Sequence, residues 1–475
     1  MAGNDTPERD TRKMAPSSDP LQKRAPDQHL LDSAFDEPAG GAVESHAARS
    51  AAIDIAGDDF DRNVWNVFGL AIDAVDRAGA VASLETAVRV GRKRALVTPN
   101  VNMLCAALRS ETARAHINAH DLSVVDGAPL ALIARLMGVP VKERVAGSDV
   151  FEALRRRPTA PGRPMRVFFF GGREGAAEAA CAALNADRGA LRGVGYLNPG
   201  FGDIEAMSAP EIIAEINAAA PDVVVVALGA EKGNAWIARN AGSLSAPVVS
   251  HLGAVVDFTA GTIRRAPVLW RRLGMEWLWR IRQEPALWRR YWRDGLSLLG
   301  VCIGRLAPLM LKPLKPVGLA AAAHIEVRQL ERGEQSRECI IVRLSGDLRA
   351  DDLSPVRAAF RAAASLAAKT ADRRAADPNR ADLDVVLDFT DVGAVDAAFL
   401  GLVLMLEKHV AAAGATLSRS AASKSLARQL WFSGVRLDSQ PEVPRIAPSV
   451  PKQPAYVPRN GSARALEAGA EADIA

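Results

Sequence analysis

The sequence predicts an α/β protein with a mostly parallel, Rossmann-like sheet in a first unit, a helical appendage rich in arginine and tryptophan, and a second, smaller α/β unit. Three observations carry this. Between Asn63 and Gly261 short apolar runs alternate with helical patterns, the signature of βαβ units. Residues 264–293 hold nine arginines and five of the chain's eight tryptophans. From about Ile325 to Leu437 strands and helices alternate again, with no repeat joining this stretch to the first.

A length of 475 residues suggests two or three folded units. Hydrophobic residues at 49% and charged residues at 24% fit a soluble globular protein. The net charge of +4 is too small to mark a nucleic-acid partner. Cys105, Cys181, Cys302 and Cys339 are scattered, with no CxxC pair or Cys/His cluster, and read as reduced, buried thiols. Residues 1–60 and 439–475 are rich in charge, Pro, Gly and Ser and read as a disordered arm and tail. The first fifty residues lack an apolar run of the secretory kind, which points to the cytoplasm.

In the first unit, 61–262, the strand candidates are RALVTPN, LSVVDG, MRVFFFGG, RGVGYL, DVVVVALGA and PVVSHLG. Helices fall between them, among them EGAAEAACAALNAD and SAPEIIAEINAAA; Ser208 followed by Glu211 predicts a capping box on the second. Ligands of such sheets gather at the carboxyl ends of the strands, where this sequence places Thr98-Pro99-Asn100, Asp126-Gly127, Gly171-Gly172 and Gly229. A carboxylate such as Asp126, desolvated there, would have its pKa raised toward that of a general base. An Asp-Gly pair is also a common turn.

Thr98 and Asn100 offer a hydroxyl and an amide suited to a sugar, although Asn100 reads equally well as a helix cap. Gly171 and Gly172 let a diphosphate or ribose approach backbone amides, with tight-turn packing as the competing reading. His116 and His120 lie four apart without a carboxylate partner and read as part of a surface helix; no metal site is expected.

The appendage and linker occupy 263–318. Interleaved Trp and Arg suit an anionic membrane interface. The following LSLLGVCIGRLAPLMLKPLKP, interrupted by Arg305 and prolines, reads as too short to span a bilayer. The second unit, 325–438, reads as strand (ECIIVRLSG), helix, polar insertion (DRRAADPNRAD), strand (LDVVLDFTDV), helix (AAFLGLVLMLEKHVAAAG), strand (ATLSRS) and helix (SKSLARQLWF).

Taken in order, NVFGLAIDAV, TPNVNM, SVVDG, ERVAGSDVF, VFFFGGREG, PDVVVVALGAEKGNAWIARN, GAVVDFTAGTIRRAP and EWLWRIRQEPALWRRYW resemble the WecG/TagA/CpsF glycosyltransferases (glycosyltransferase family 26) over residues 63–295. The resemblance implies an inverting transfer from a UDP-sugar to a polyprenyl-diphosphate-linked acceptor in exopolysaccharide or cell-surface polysaccharide synthesis. It further implies no metal or other cofactor, and peripheral attachment to the inner face of the cytoplasmic membrane.

On that reading Asp126 is the general base, and Thr98 and Asn100 contact the sugar. Lys232 and Asp257, inside matching motifs, join the substrate site with Gly171, Gly172 and Gly229. Arg280 and Arg290 of the appendage meet the negative charge of the departing diphosphate. Two departures stand out: Gly233 and Asn234 replace an expected Gln and Glu, and Leu287 replaces an arginine. Gly233 and Asn234 support a second reading, a catalytically weakened scaffold that binds nucleotide-sugar or lipid and recruits polysaccharide machinery through the second unit.

The second unit resembles a STAS (anti-sigma-factor-antagonist-like) domain. Its Asp396-Ala397-Ala398-Phe399-Leu400-Gly401 lacks the serine that regulatory members phosphorylate, so no phosphoswitch is expected there. Docking a protein partner or sensing a ligand remains open to it.

Overall fold

The computed structural model describes residues 58–157, 163–187, 189–267, 269–270, 274–311, 318–332, 335–376, 383–420 and 422–437. The first unit runs β1 (Val64–Val67), β2 (Leu70–Asp73), α1 (Arg77–Val90), β3 (Arg94–Val97), α2 (Val101–Arg109), α3 (Glu111–Asn118), β4 (Leu122–Ser123), α4 (Ala128–Leu136) and α5 (Gly147–Arg156). It continues through β5 (Met165–Gly171), α6 (Ala176–Ala186), β6 (Leu191–Leu197), α7 (Pro210–Ala218), β7 (Val223–Ala227), α8 (Ala230–Asn240), β8 (Val248–His251) and α9 (Gly253–Thr259). The appendage adds α10 (Glu276–Gln283) and α11 (Pro285–Leu311). The second unit holds β9 (Ala322–Arg332), β10 (Gln335–Leu348), α12 (Ser354–Ala376), β11 (Leu383–Val395), α13 (Ala397–Ala412), β12 (Thr416–Ser420) and α14 (Lys424–Phe432).

All six strand candidates of the first unit enter one parallel sheet, in the order β4-β3-β8-β7-β5-β6. Both faces are covered, which is why the strands read as unbroken apolar runs. Along β5, Val167 and Phe169 pack with α1, α5, α6 and α9, while Phe168 and Phe170 pack with α7 and α8. Trp236 of α8 stacks on Phe170 with ring centroids 4.5 Å apart, and its indole N–H reaches the Met207 carbonyl at 2.8 Å. The neighbours β3 and β8 send their following helices to opposite faces, since α2 packs in one apolar cluster and α9 in another. A crevice therefore opens at their carboxyl ends.

Several expectations are corrected. The capping box at Ser208 does not form: Pro210 takes the first helical position, Ala209 becomes the cap, and the Ser208 hydroxyl donates to the Ile204 carbonyl at 2.6 Å. Asp58 to Phe60 do not belong to a disordered arm, because Phe60 is buried in the core of the second unit; residues 1–57 and 438–475 lie outside the described residues. The helix α11 runs unbroken for 27 residues and is, by length and composition, long and apolar enough to cross a membrane. It outruns the sequence reading because a π-turn at Cys302–Leu306 carries the helix into Pro308, whose missing N–H would otherwise break the ladder. The hairpin β1–β2, not foreseen as strands, turns through Phe68 and Gly69 at φ 52 and 89.

The second sheet has the order β12-β11-β10-β9, with β10, β11 and β12 parallel and β9 antiparallel at one edge. Strand β9 was missed because it emerges from an alanine run with helical propensity. The two units share one core: Phe60, Val64 and Ala71 pack with Phe360, Phe399 and Leu402. A Cβ on Gly401 of α13 would stand 2.4 Å from the Val64 carbonyl oxygen, so only glycine lets α13 approach β1 this closely. Around this contact, Arg62 pairs with Asp59 at 2.7 Å and with Asp73 at 2.8 Å. Asp59 also meets Lys408 and His409, each at 3.0 Å. Although burial opposes it, the His409, Arg62 and Lys408 contacts hold Asp59 well below the usual carboxylate range.

Breaking a buried pair from one side costs more than the pair is worth, because the stranded charge keeps its desolvation penalty. Arg62→Met should therefore lower unfolding stability by about 3–5 kcal/mol, measured by urea denaturation. A loss within 1 kcal/mol, about the value of an exposed pair, would show that the network does not clamp the units.

Candidate active site

The site lies at the carboxyl ends of β3, β4, β5, β7 and β8. Asp126 leaves β4 on a turn fixed by its own N–H, which donates to the Pro99 carbonyl at 2.7 Å. Gly127 follows at φ 90 as the cap of α4. The Asp126 side chain keeps 27% of its surface exposed, and its carboxylate sits 3.9 Å from the Arg144 guanidinium. Arg144 is shared with Glu276 at 3.1 Å and Asp149 at 3.4 Å, and Asp149 is also paired with Arg265. Burial pushes Asp126 up to about 7; Arg144 opposes the rise, while Glu276 and Asp149 reinforce it. A carboxyl group so poised can take a proton near neutral pH.

Thr98 is buried beside the amino end of α5, where a Cβ on Gly147 would stand 3.4 Å from it and 2.3 Å from Leu252. Asn100 caps α2 by accepting from the Met103 N–H at 3.1 Å, which leaves its amide nitrogen for a ligand. Gly171 and Gly172 have φ 87 and 102, and a Cβ on Gly171 would strike the Ala227 carbonyl at 2.9 Å, so turn packing alone demands the first glycine. Gly229, at φ 81, caps α8 with no side-chain cap and with open space where its Cβ would be.

The remaining candidates divide. Asp257 is raised by burial, with Arg173 and Arg280 opposing and Glu284 reinforcing, so Asp257 and Arg280 belong to one charged cluster. Lys232 donates to the Gly202 carbonyl at 2.9 Å, in the loop that follows β6. Arg290 lies exposed over the Tyr291 ring.

Sequence reasoning missed the residues that draw the appendage down over the crevice. Glu276 reaches Arg144, Glu284 pairs with Arg173, and Gln283 bonds both the N–H and the carbonyl of Arg264. Arg144 stood inside the ERVAGSDVF motif and was findable; Glu276 and Glu284 were hidden among the arginines and tryptophans. His120 is corrected as well: it is 1% exposed, its Nδ1 faces the His116 and Ile117 carbonyls, and burial pushes it down to about 4. With Lys93 and Arg94 it lines a cavity of about 200 Å³ at the amino ends of the strands, remote from Asp126.

A crevice of this kind, with a perturbed carboxylate at its rim and glycines at the strand ends, is that of a doubly wound α/β enzyme. The chain belongs to the glycosyl transferase WecG/TagA/CpsF family, whose model matches residues 65–309. A relative from Bacillus spizizenii, N-acetylglucosaminyldiphosphoundecaprenol N-acetyl-beta-D-mannosaminyltransferase, is 29% identical over 202 residues, covering 42% of this chain and 76% of that protein.

The raised carboxyl makes a prediction about stability. The folded state holds the Asp126 proton more tightly than the unfolded chain, whose value is 3.8, so this contribution is present at low pH and lost as pH rises through about 7. Asp126→Asn should gain in Tm over the wild type as pH climbs from 5 to 8. A Tm difference that stays flat across that range would contradict the perturbed pKa.

Proposed function

We propose that this glycosyltransferase moves a sugar from a UDP-sugar onto a polyprenyl-diphosphate-linked saccharide during synthesis of an exopolysaccharide or cell-surface polysaccharide. The observation that carries the mechanism is the Asp126 carboxylate at the crevice rim, tuned near neutrality by its charged neighbours. Asp126 accepts the proton of the acceptor hydroxyl, and the hydroxyl oxygen attacks the anomeric carbon from the face opposite the diphosphate. The bond to the diphosphate then breaks, UDP departs, and the configuration inverts. No metal enters this scheme. Arg280, beside Asp257, and Arg173 are placed to meet the charge that builds on the leaving diphosphate. Thr98 and the Asn100 amide supply neutral sugar contacts.

The membrane part of the reading rests on α11. One side of this helix packs through Leu298, Val301, Leu306 and Leu309 onto the first unit. The other exposes Trp288, Trp292, Leu296, Leu299, Ile303 and Met310, spaced to form one apolar stripe. Exposed Arg289, Arg290 and Arg293 lie at its amino end. That arrangement suits a helix lying in the interface on the inner face of the cytoplasmic membrane, next to a lipid-linked acceptor.

The second unit is read as a STAS-like module held against its own transferase unit. Asp396 caps α13 through the Phe399 N–H, and Phe399 to Gly401 are packed inward. The segment that carries the serine in regulatory STAS proteins is thus occupied within the chain.

Radiolabelled transfer from UDP-sugars to a lipid-diphosphate acceptor should fall by at least 100-fold in Asp126→Asn; full activity would remove Asp126 from the mechanism. Replacing Trp288, Trp292 and Ile303 by serine should reduce sedimentation with anionic vesicles by tenfold or more while leaving the fold intact. Unchanged sedimentation would refute the interfacial role of α11.

A further inference from the structure

We infer that His251 is a donor-binding residue of the crevice, placed to hydrogen-bond a phosphate oxygen of the nucleoside diphosphate in space that Gly233 leaves open for it. The inference rests on the UDP-sugar reading above. Gly233 stands in the first turn of α8, and a Cβ there would come within 2.2 Å of His251 Cδ2 and 2.9 Å of its Cγ. The backbone at Gly233 is ordinary helix, so glycine is required for room and not for conformation. The glycine that replaces an expected glutamine is therefore the complement of the imidazole.

His251 closes β8, paired in register with Val226 of β7 and one strand from β3, whose chain runs on into Thr98 and Asn100. It thus stands where β3 and β8 part. Its Nε2 is shielded from solvent and has no hydrogen-bond partner among the described residues. Buried polar atoms in this position are normally satisfied, so the orphan calls for a ligand or water. Beside it, α8 begins at Gly229, after the carboxyl end of β7, with no side-chain cap on its first N–H groups, a setting that favours a phosphate.

A neutral imidazole carries one N–H and one lone pair. Burial keeps His251 neutral by pushing it down to about 4, so it donates a directed bond without adding a charge to a crevice that already holds arginines. Asn234, the second departure, has a different role: it is 2% exposed and donates to the Ala230 carbonyl at 2.8 Å, bracing the same turn from inside.

Calorimetric titration of the full chain with UDP alone tests the assignment. The wild type should bind, and His251→Gly should bind at least tenfold more weakly. Because that variant also leaves a void, two double variants separate polarity from packing. His251→Gly with Gly233→Gln should regain UDP affinity, as an amide enters the vacated space, whereas His251→Gly with Gly233→Leu should regain thermal stability but not affinity. Equal recovery by leucine, or unchanged affinity in a folded His251→Gly, would overturn the contact while leaving the UDP-sugar reading intact. Failure of the wild type to bind UDP would overturn that reading and the contact together.

Discussion

Three carboxylates on three different elements, Asp126 after β4, Asp149 of α5 and Glu276 of α10, converge on the guanidinium of Arg144. Among the described residues one guanidinium is shared by three anions, and Arg265 pairs with Asp149 as well. Asp126 has the longest pair distance of the three. Desolvation and the neighbouring Glu276 and Asp149 charges together raise its pKa. The same pairs bind the appendage to the crevice rim, so the seating of α10 and the pKa of Asp126 are one electrostatic problem.

A parallel sheet explains why these groups meet at all. Residues far apart in the chain, Thr98, Asp126, Gly171, Gly229 and His251, each end or follow a strand, and parallel strands end on the same side. Burial on both faces fixes the register, since slipping any strand by one residue would drive its alternate side chains into the wrong layer. The second unit adds rigidity from outside the crevice. By sharing a core with the β1–β2 hairpin and holding Asp59 between Arg62, Lys408 and His409, it ties the start of the first unit to its own helix α13.

Much of this was legible in the residues. Apolar runs gave six strands of the sheet in order, and the rule of carboxyl ends led from them to Thr98, Asn100, Asp126 and the glycines. What escaped depends on distance in three dimensions. Nothing local in EWLWRIRQE separates Glu276, which crosses the cleft to Arg144, from a solvated helix charge. His251 reads as one more residue at the end of a strand until the space at Gly233 is seen to be filled by its ring. Ser208 and Pro210 show the reverse case: a sound capping motif lost because proline claimed the first helical position. The length of α11 was misjudged because a π-turn absorbed a proline that would end an ordinary helix.

The central claim is that Asp126 is the base and that the appendage sets its pKa. The pH dependence of kcat/KM for sugar transfer tests it most directly, because that profile reports the free enzyme's essential groups. The wild type should lose activity as pH falls through about 7. In Glu276→Gln the loss should begin at lower pH, since removing that negative charge favours the ionised carboxylate. An acid limb near 4 in both enzymes, or one unmoved by the substitution, would contradict the account.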